Sequence, residues 1–179
     1  MTEFMYELKI PKPRIAVLIG KKGEIKKQIE GETHTKISID SKEGDVSLVG
    51  EDGLALYSAR EVISAIGRGF NPQTALQLLK GDYVFEKIDL SGHTNTKAQL
   101  MRLKGRIIGA EGKCRRLIEE LSDANMSIYG KTIALIGEPE NVANARKAIE
   151  LLIKGSMHST VYRWLEKRRK EMKKKRLIA

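Results

Sequence analysis

Ile19-Gly20-Lys21-Lys22-Gly23-Glu24-Ile25-Lys26-Lys27-Gln28-Ile29-Glu30 returns 89 positions later as Ile108-Gly109-Ala110-Glu111-Gly112-Lys113-Cys114-Arg115-Arg116-Leu117-Ile118-Glu119. Each stretch sets two glycines three apart, behind an isoleucine and ahead of a basic amphipathic helix. Ile25 and Ile29 share one face of the first helix, and Cys114, Leu117, Ile118 and Leu121 share one face of the second. Those faces belong to a core, so Cys114, aligned with Ile25, reads as a small buried residue.

The correspondence extends in both directions. Lys36-Ile37-Ser38-Ile39 falls on Asn125-Met126-Ser127-Ile128, and Val46-Ser47-Leu48-Val49-Gly50-Glu51 on Ile133-Ala134-Leu135-Ile136-Gly137-Glu138. With a small slip of register, Ala59-Arg60-Glu61-Val62-Ile63 matches Ala145-Arg146-Lys147-Ala148-Ile149. Such repetition means two copies of one supersecondary unit. Upstream of the glycines, Glu7 to Ile10 and Tyr83 to Ile88 predict opening strands, and apolar helices run through Ile15–Ile19 and Ala98–Ile108. Downstream, strand pairs are predicted over 36–40 with 45–50 and 125–129 with 131–137, followed by closing helices over 53–67 and 139–154. Pro72 starts a short helix through Leu76 and Leu79, whose apolar residues imply that the repeats pack together. The expected class is α+β, with domains over 1–81 and 82–156 and a basic helical extension over 157–179.

The order β-α-α-β-β-α, with a G-x-x-G loop between the first two helices, resembles the type I KH fold in both copies. More narrowly, Gly105-Arg106-Ile107-Ile108-Gly109-Ala110-Glu111-Gly112-Lys113, the Ala145-Arg146 helix ending at Gly155-Ser156, and the basic helix after Val161-Tyr162 resemble the archaeal counterparts of the "partner of Nob" ribosome-assembly factors. That resemblance implies single-stranded RNA as partner, specifically the 3′ region of small-subunit ribosomal RNA during its processing. It also implies a maturation endonuclease or a translation initiation factor nearby.

In KH modules the glycine loop clamps about four nucleotides on the phosphate side, while the bases lie in an apolar groove. Mapped onto this chain, the first site is Gly20, Lys21, Lys22 and Gly23, with Ile19, Ile37 and Ile39 as groove wall. The second is Gly109, Ala110, Glu111 and Gly112, with Ile108, Met126 and Ile128 as groove and Arg106, Lys113, Arg115 and Arg116 as cations. Glu111 stands out, because a carboxylate facing phosphate weakens binding unless it turns to solvent or pairs with Lys113 or Arg115. The bland reading of either loop is a helix–helix turn in which glycine relieves backbone strain.

Composition agrees with a polyanionic partner. The 179 residues carry a net charge of +10, and nine basic against two acidic residues between Val161 and Ala179 supply seven of that surplus. The tail reads as one helix with Val161, Trp164, Leu165 and Met172 near one stripe: a solvated basic helix packed on the body, a phosphate rail, or a docking helix for a protein. Only three Phe, five Tyr and one Trp are present, so base readout leans on groove shape and hydrogen bonds.

Enzyme readings fail on the motifs. Gly112-Lys113-Cys114 lacks the glycine and the hydroxyl of a Walker loop, Gly67-Arg68-Gly69 meets Pro72 where a dinucleotide fingerprint needs its third glycine, and no G-x-S-x-G elbow exists. One cysteine and three scattered histidines give no metal-ligand spacing, so neither metal nor cofactor is expected. With no apolar run of roughly 18 residues and no secretory signal at the start, a cytoplasmic protein without membrane contact is expected. The alternative to RNA binding is a protein–protein adaptor using KH surfaces, or a KH subunit of another RNA-processing complex.

Overall fold

A computed structural model describes residues 2–179 as two compact units, one ending at Tyr83 and the other spanning Val84–Ala179. The first contains β1 (Phe4–Lys9), α1 (Lys12–Ile19), α2 (Glu24–Thr33), β2 (Lys36–Ile39), β3 (Asp45–Gly50), α3 (Gly53–Gly67) and α4 (Pro72–Leu76). The second contains β4 (Val84–Asp89), α5 (Lys97–Ile108), α6 (Lys113–Ser122), β5 (Asn125–Tyr129), β6 (Thr132–Gly137), α7 (Pro139–Ile153) and α8 (His158–Ile178). Each unit therefore follows the expected order β-α-α-β-β-α.

Both sheets are antiparallel with the last strand central, in the orders β1-β3-β2 and β4-β6-β5. Ile37 pairs with Leu48 and Ile39 with Val46; in the second unit Met126 pairs with Leu135 and Ile128 with Ile133. Val46, Leu48 and Gly50 alternate buried with partly exposed neighbours along β3, as a strand with one face on a helical layer requires. Leu18, Ile29, Leu56, Ile63 and Ile66 are fully buried in the first unit. Ile107, Ile118, Ile133, Leu135, Ile149 and Leu152 belong to one buried cluster in the second.

The repetition reaches fine detail. Residues 34 and 123, at corresponding places after α2 and α6, are His34 and Asp123, both left-handed (φ 52° and 58°). Just before them, the Thr33 hydroxyl donates to Ile29 O (2.6 Å) and the Ser122 hydroxyl to Ile118 O (2.5 Å). Each turns the chain from helix into the edge strand that follows.

The structure adds three details to these expectations. β1 starts at Phe4, three residues before the predicted Glu7, because Phe4, Met5 and Tyr6 pair with β3 yet stay exposed, so alternation could not mark them. The short helix at Pro72 buries Ala75, and Leu78 in the turn after it, in contact with α3 of its own unit. The basic tail packs on the second repeat through Val161 and Leu165 of α8, which are fully buried within that unit's core. Burying two such aliphatic side chains contributes about 1.5–3 kcal/mol each.

Candidate nucleic-acid interface

Both glycine loops have one geometry. Gly20 (φ 75°, ψ 177°) and Gly109 (φ 76°, ψ 174°) end the first helices, and a single tight turn follows in which Lys22 and Glu111 are left-handed at φ 54° and 53°. Gly23 and Gly112, left-handed at φ 77° and 75°, then start α2 and α6. A Cβ at Gly20 would lie 2.5 Å from Ile25 Cγ1, and one at Gly109 would lie 2.8 Å from the Cys114 backbone nitrogen, so the first glycine lets the second helix pack against the loop. A Cβ at Gly112 would meet nothing within 4 Å. The second glycine faces open space, where a ligand backbone has room to approach.

The start of the second helix carries no side-chain cap in either unit, as is also true of α1, α7 and α8. Helices α3, α4 and α5 are capped by the side chains of Asp52, Asn71 and Thr96, which accept hydrogen bonds from their first-turn amides. Helices α2 and α6 begin at glycine with no side-chain cap. First-turn N–H groups and the positive end of the helix dipole are thereby presented to any anion that reaches them. Lys21, Lys22, Ala110 and Glu111 are all exposed, so neither loop is merely an internal packing turn.

The sheet edge supplies the other wall. The Ile37 amide donates to Glu30 Oε1 (2.8 Å) and the Met126 amide to Glu119 Oε1 (2.8 Å), so these residues direct their backbone groups away from the central strand. Alternation in an antiparallel ladder then points the N–H and C=O of Ile39 and Ile128 outward as well, free to meet a base edge. In the first unit a groove of about 330 Å³ is lined by Ile19, Gly23, Lys26, Lys27, Glu30 and Ile39. It joins an apolar floor, the uncapped helix start, the exposed cation Lys27 and a Lys26–Glu30 pair that neutralises the one carboxylate in the lining. A wider depression of about 880 Å³ over the first sheet includes Glu7, Asp40 and Asp45 in its lining, carboxylates that suit phosphate poorly.

Several residues named from sequence take other places. Ile37 and Met126 are both 2% exposed and belong to the core, one alternation step deeper along the strand than the half-buried Ile39 and Ile128. Arg106 is not a free cation: its guanidinium donates to Leu152 O (3.1 Å) and Ser156 O, holding the end of α7. Arg14 does the same in the first unit, donating to Ile66 O (2.8 Å) and Phe70 O (2.7 Å). Arg115 pairs with Glu119 (3.7 Å) as Lys26 pairs with Glu30 (3.9 Å), which leaves Lys113 and Arg116 as exposed cations beside the second loop. Glu111 is exposed, and its ion pairing to Lys113 or Arg115 is not seen among the described residues. Sequence reasoning missed Lys26 and Lys27, although the 89-residue offset sets them against Arg115 and Arg116.

Behind the second loop, burial raises the Cys114 thiol above its ordinary pKa, opposed by a hydrogen bond with Tyr162 and by the charge of Arg106. Burial and the Cys114 contact push the Tyr162 hydroxyl up to about 12. Both groups therefore stay neutral at physiological pH and act as packing. Among the described residues, no group of three or more His, Cys, Asp or Glu side chains is placed to hold a metal ion, and no helix is long and apolar enough to cross a membrane.

Two β-α-α-β-β-α units, each with an exposed glycine loop feeding an uncapped helix, define a protein with tandem type I KH domains. Residues 84–170 match the family described as "Eukaryotic type KH-domain (KH-domain type I)", and residues 5–65 match the KH domain family. The chain is 48% identical over 173 residues to a KH domain-containing protein of Methanocaldococcus jannaschii, covering 94% of this chain and 76% of that one. It is 30% identical over 111 residues to the pre-rRNA-processing protein PNO1 of Chaetomium thermophilum, covering 60% of this chain and 43% of the longer fungal protein. It superposes with a TM-score of 0.88 on the crystal structure of an a/eIF2alpha–aDim2p–rRNA complex from Pyrococcus horikoshii, at 48% identity, covering 94% of this chain and 96% of that one. The chain belongs to the PNO1/Dim2p-type family of two-KH-domain proteins.

Proposed function

We propose that this chain binds single-stranded RNA at the 3′ region of small-subunit ribosomal RNA, as an assembly factor acting while that RNA is processed. The observation that carries the reading is the pairing, twice over, of an uncapped helix start at Gly23 or Gly112 with a free strand edge at Ile39 or Ile128. Phosphates meet the loop amides and the cations Lys21, Lys22 and Lys27 in the first unit, or Lys113 and Arg116 in the second. Bases lie against Ile19 and Ile39, or Ile108 and Ile128, and hydrogen-bond to the strand. Phosphate contacts set register and base contacts set sequence. Arg106, Ile37 and Met126 support the site from behind. The rRNA complex of the Pyrococcus relative and the pre-rRNA-processing name of the fungal one favour ribosomal RNA over other single strands.

The work is binding, not catalysis, and is done in the cytoplasm. A translation initiation factor is the favoured protein partner, because the relative's complex contains a/eIF2alpha. The test is titration of the full chain with a labelled single strand of the small-subunit rRNA 3′ end and with a scrambled strand, over a salt series. The 3′-end strand binds tighter, and log affinity falls by roughly 0.7 per neutralised phosphate per log unit of salt. Equal affinity for both strands removes the rRNA assignment. A flat salt response removes the phosphate clamps and favours the adaptor.

A further inference from the structure

Eight of the nine Lys and Arg residues of α8 divide into two sets, with the exposed Lys173 between them. On the side facing the unit, Arg168 pairs with Glu171 (2.9 Å), Lys175 with Glu140 (3.7 Å) and Arg176 with Glu138 (3.3 Å), while Arg169 donates to Glu120 O (3.0 Å). Arg163, Lys167, Lys170 and Lys174 follow the spacing i, i+4, i+7, i+11, which sets them in one stripe opposite the buried Val161 and Leu165. All four are exposed, and none is seen in an ion pair among the described residues. Glu166 lies at the edge of the stripe, and Glu171 is already held by Arg168.

The helix has a defined course within its unit. His158 Nε2 lies 2.7 Å from Arg106 O, which sets the first turn of α8 against the last turn of α5, three residues before Gly109. The Arg169 contact sets a later turn against the end of α6. Helix α8 thus runs alongside α6, and the stripe follows its outer face over roughly 16 Å at a rise of about 1.5 Å per residue. It carries no aromatic ring, so it offers point charges and no surface for stacking a base. Trp164 and Tyr162, which would supply one, are partly buried against the core.

We propose that the Arg163, Lys167, Lys170 and Lys174 stripe is a second, sequence-independent phosphate-binding surface that holds RNA flanking the segment in the second KH groove. The charge is of the right sign, it is not ion-paired where the inner cations are, and it lies on a helix whose first turn packs against the end of α5, next to a loop already assigned to phosphate. The stripe extends the contacts of a bound strand without adding to its specificity. This rests on the RNA-binding reading above.

The experiment compares the full chain with a variant carrying Arg163→Gln, Lys167→Gln, Lys170→Gln and Lys174→Gln. The probes are a six-nucleotide strand of the 3′-end sequence, and the same strand extended at either end by ten adenosines or ten uridines. Extension is expected to strengthen wild-type binding equally with either base. Four further phosphate contacts at about 0.7 each steepen the salt slope by roughly 2.8, so the gain shrinks about 50-fold between 50 and 200 mM salt. The variant binds the six-mer as wild type does and loses the gain; circular dichroism reports that its helix is intact. A variant that keeps the full gain, or a gain that depends on the added base, overturns the proposal. A wild-type chain that does not bind the six-mer overturns both this and the reading it rests on.

Discussion

Arg106 and the lysine pair Lys21 and Lys22 are all basic residues near a glycine loop, yet the structure assigns them opposite work, and one crossed experiment separates them. Arg106→Gln removes two charge-assisted hydrogen bonds, to Leu152 O and Ser156 O, at the end of α7. Such bonds are worth about 1.5–3 kcal/mol each when shielded, and the half-exposed setting reduces the net cost to about 2 kcal/mol. For a unit the size of Val84–Ala179, about 4–8 °C per kcal/mol lowers its thermal midpoint by roughly 8–16 °C. The salt slope of RNA binding stays as in wild type. Lys21→Asp with Lys22→Asp does the reverse. Lys22 is left-handed at φ 54°, a conformation aspartate tolerates well, so the melting curve hardly moves. Loss of two phosphate contacts flattens the slope by about 1.4, and the new negative charges weaken affinity further. Scanning calorimetry gives the first readout and fluorescence anisotropy the second. A cooler midpoint for the loop variant, or a flatter slope without destabilisation for Arg106→Gln, would refute this division of roles.

Leu165→Ala, in a side chain with no exposure, is expected to destabilise the second unit by about 2–5 kcal/mol in denaturant titration, whereas a mere extension would tolerate it. Gly109→Ala, whose Cβ would crowd the Cys114 backbone as well as strain a left-handed residue, costs more stability than Gly112→Ala, which carries the φ 75° strain alone because its Cβ meets open space; the latter also weakens RNA binding. Glu111→Lys converts the second loop toward the first and steepens the salt slope by roughly 0.7; an unchanged slope takes that loop off the phosphate path. Because the folded state raises Tyr162 to about 12, above the unfolded value of about 10, it holds the proton more tightly than the unfolded chain does. The stability this gives is complete below pH ~10 and is lost as pH rises toward ~12, so Tyr162→Phe should blunt alkaline unfolding followed by circular dichroism.

Order and topology were legible because the repeat states them twice: Ile25 over Cys114 and Glu30 over Glu119 fix the same helix in the same place. The clamp loops were legible because glycine at both ends of a four-residue turn has a backbone reason. Depth was not. Ile37 and Ile39 share a face of β2, and only packing reveals that the first is core while the second rims the groove. Nor does a cation announce its partner. Arg106 looked like a phosphate ligand from its distance to Gly109, but it folds back onto carbonyls 46 and 50 residues away. Lys26 and Lys27 could have been found by carrying Arg115 and Arg116 back across the offset. The division of α8 into tied and untied cations depends on Glu138 and Glu140, which lie just before and in the first turn of α7.

The paired guanidiniums close each unit in the same way. Ile66 and Phe70 correspond to Leu152 and Ser156, so Arg14 and Arg106 grip equivalent carbonyls. They do so from different rungs: the glycine-loop offset sets Arg14 against Leu103, one turn before Arg106. The latch is therefore defined by its pair of carbonyl acceptors, and a guanidinium side chain is long enough to reach them from either of two successive turns of the first helix.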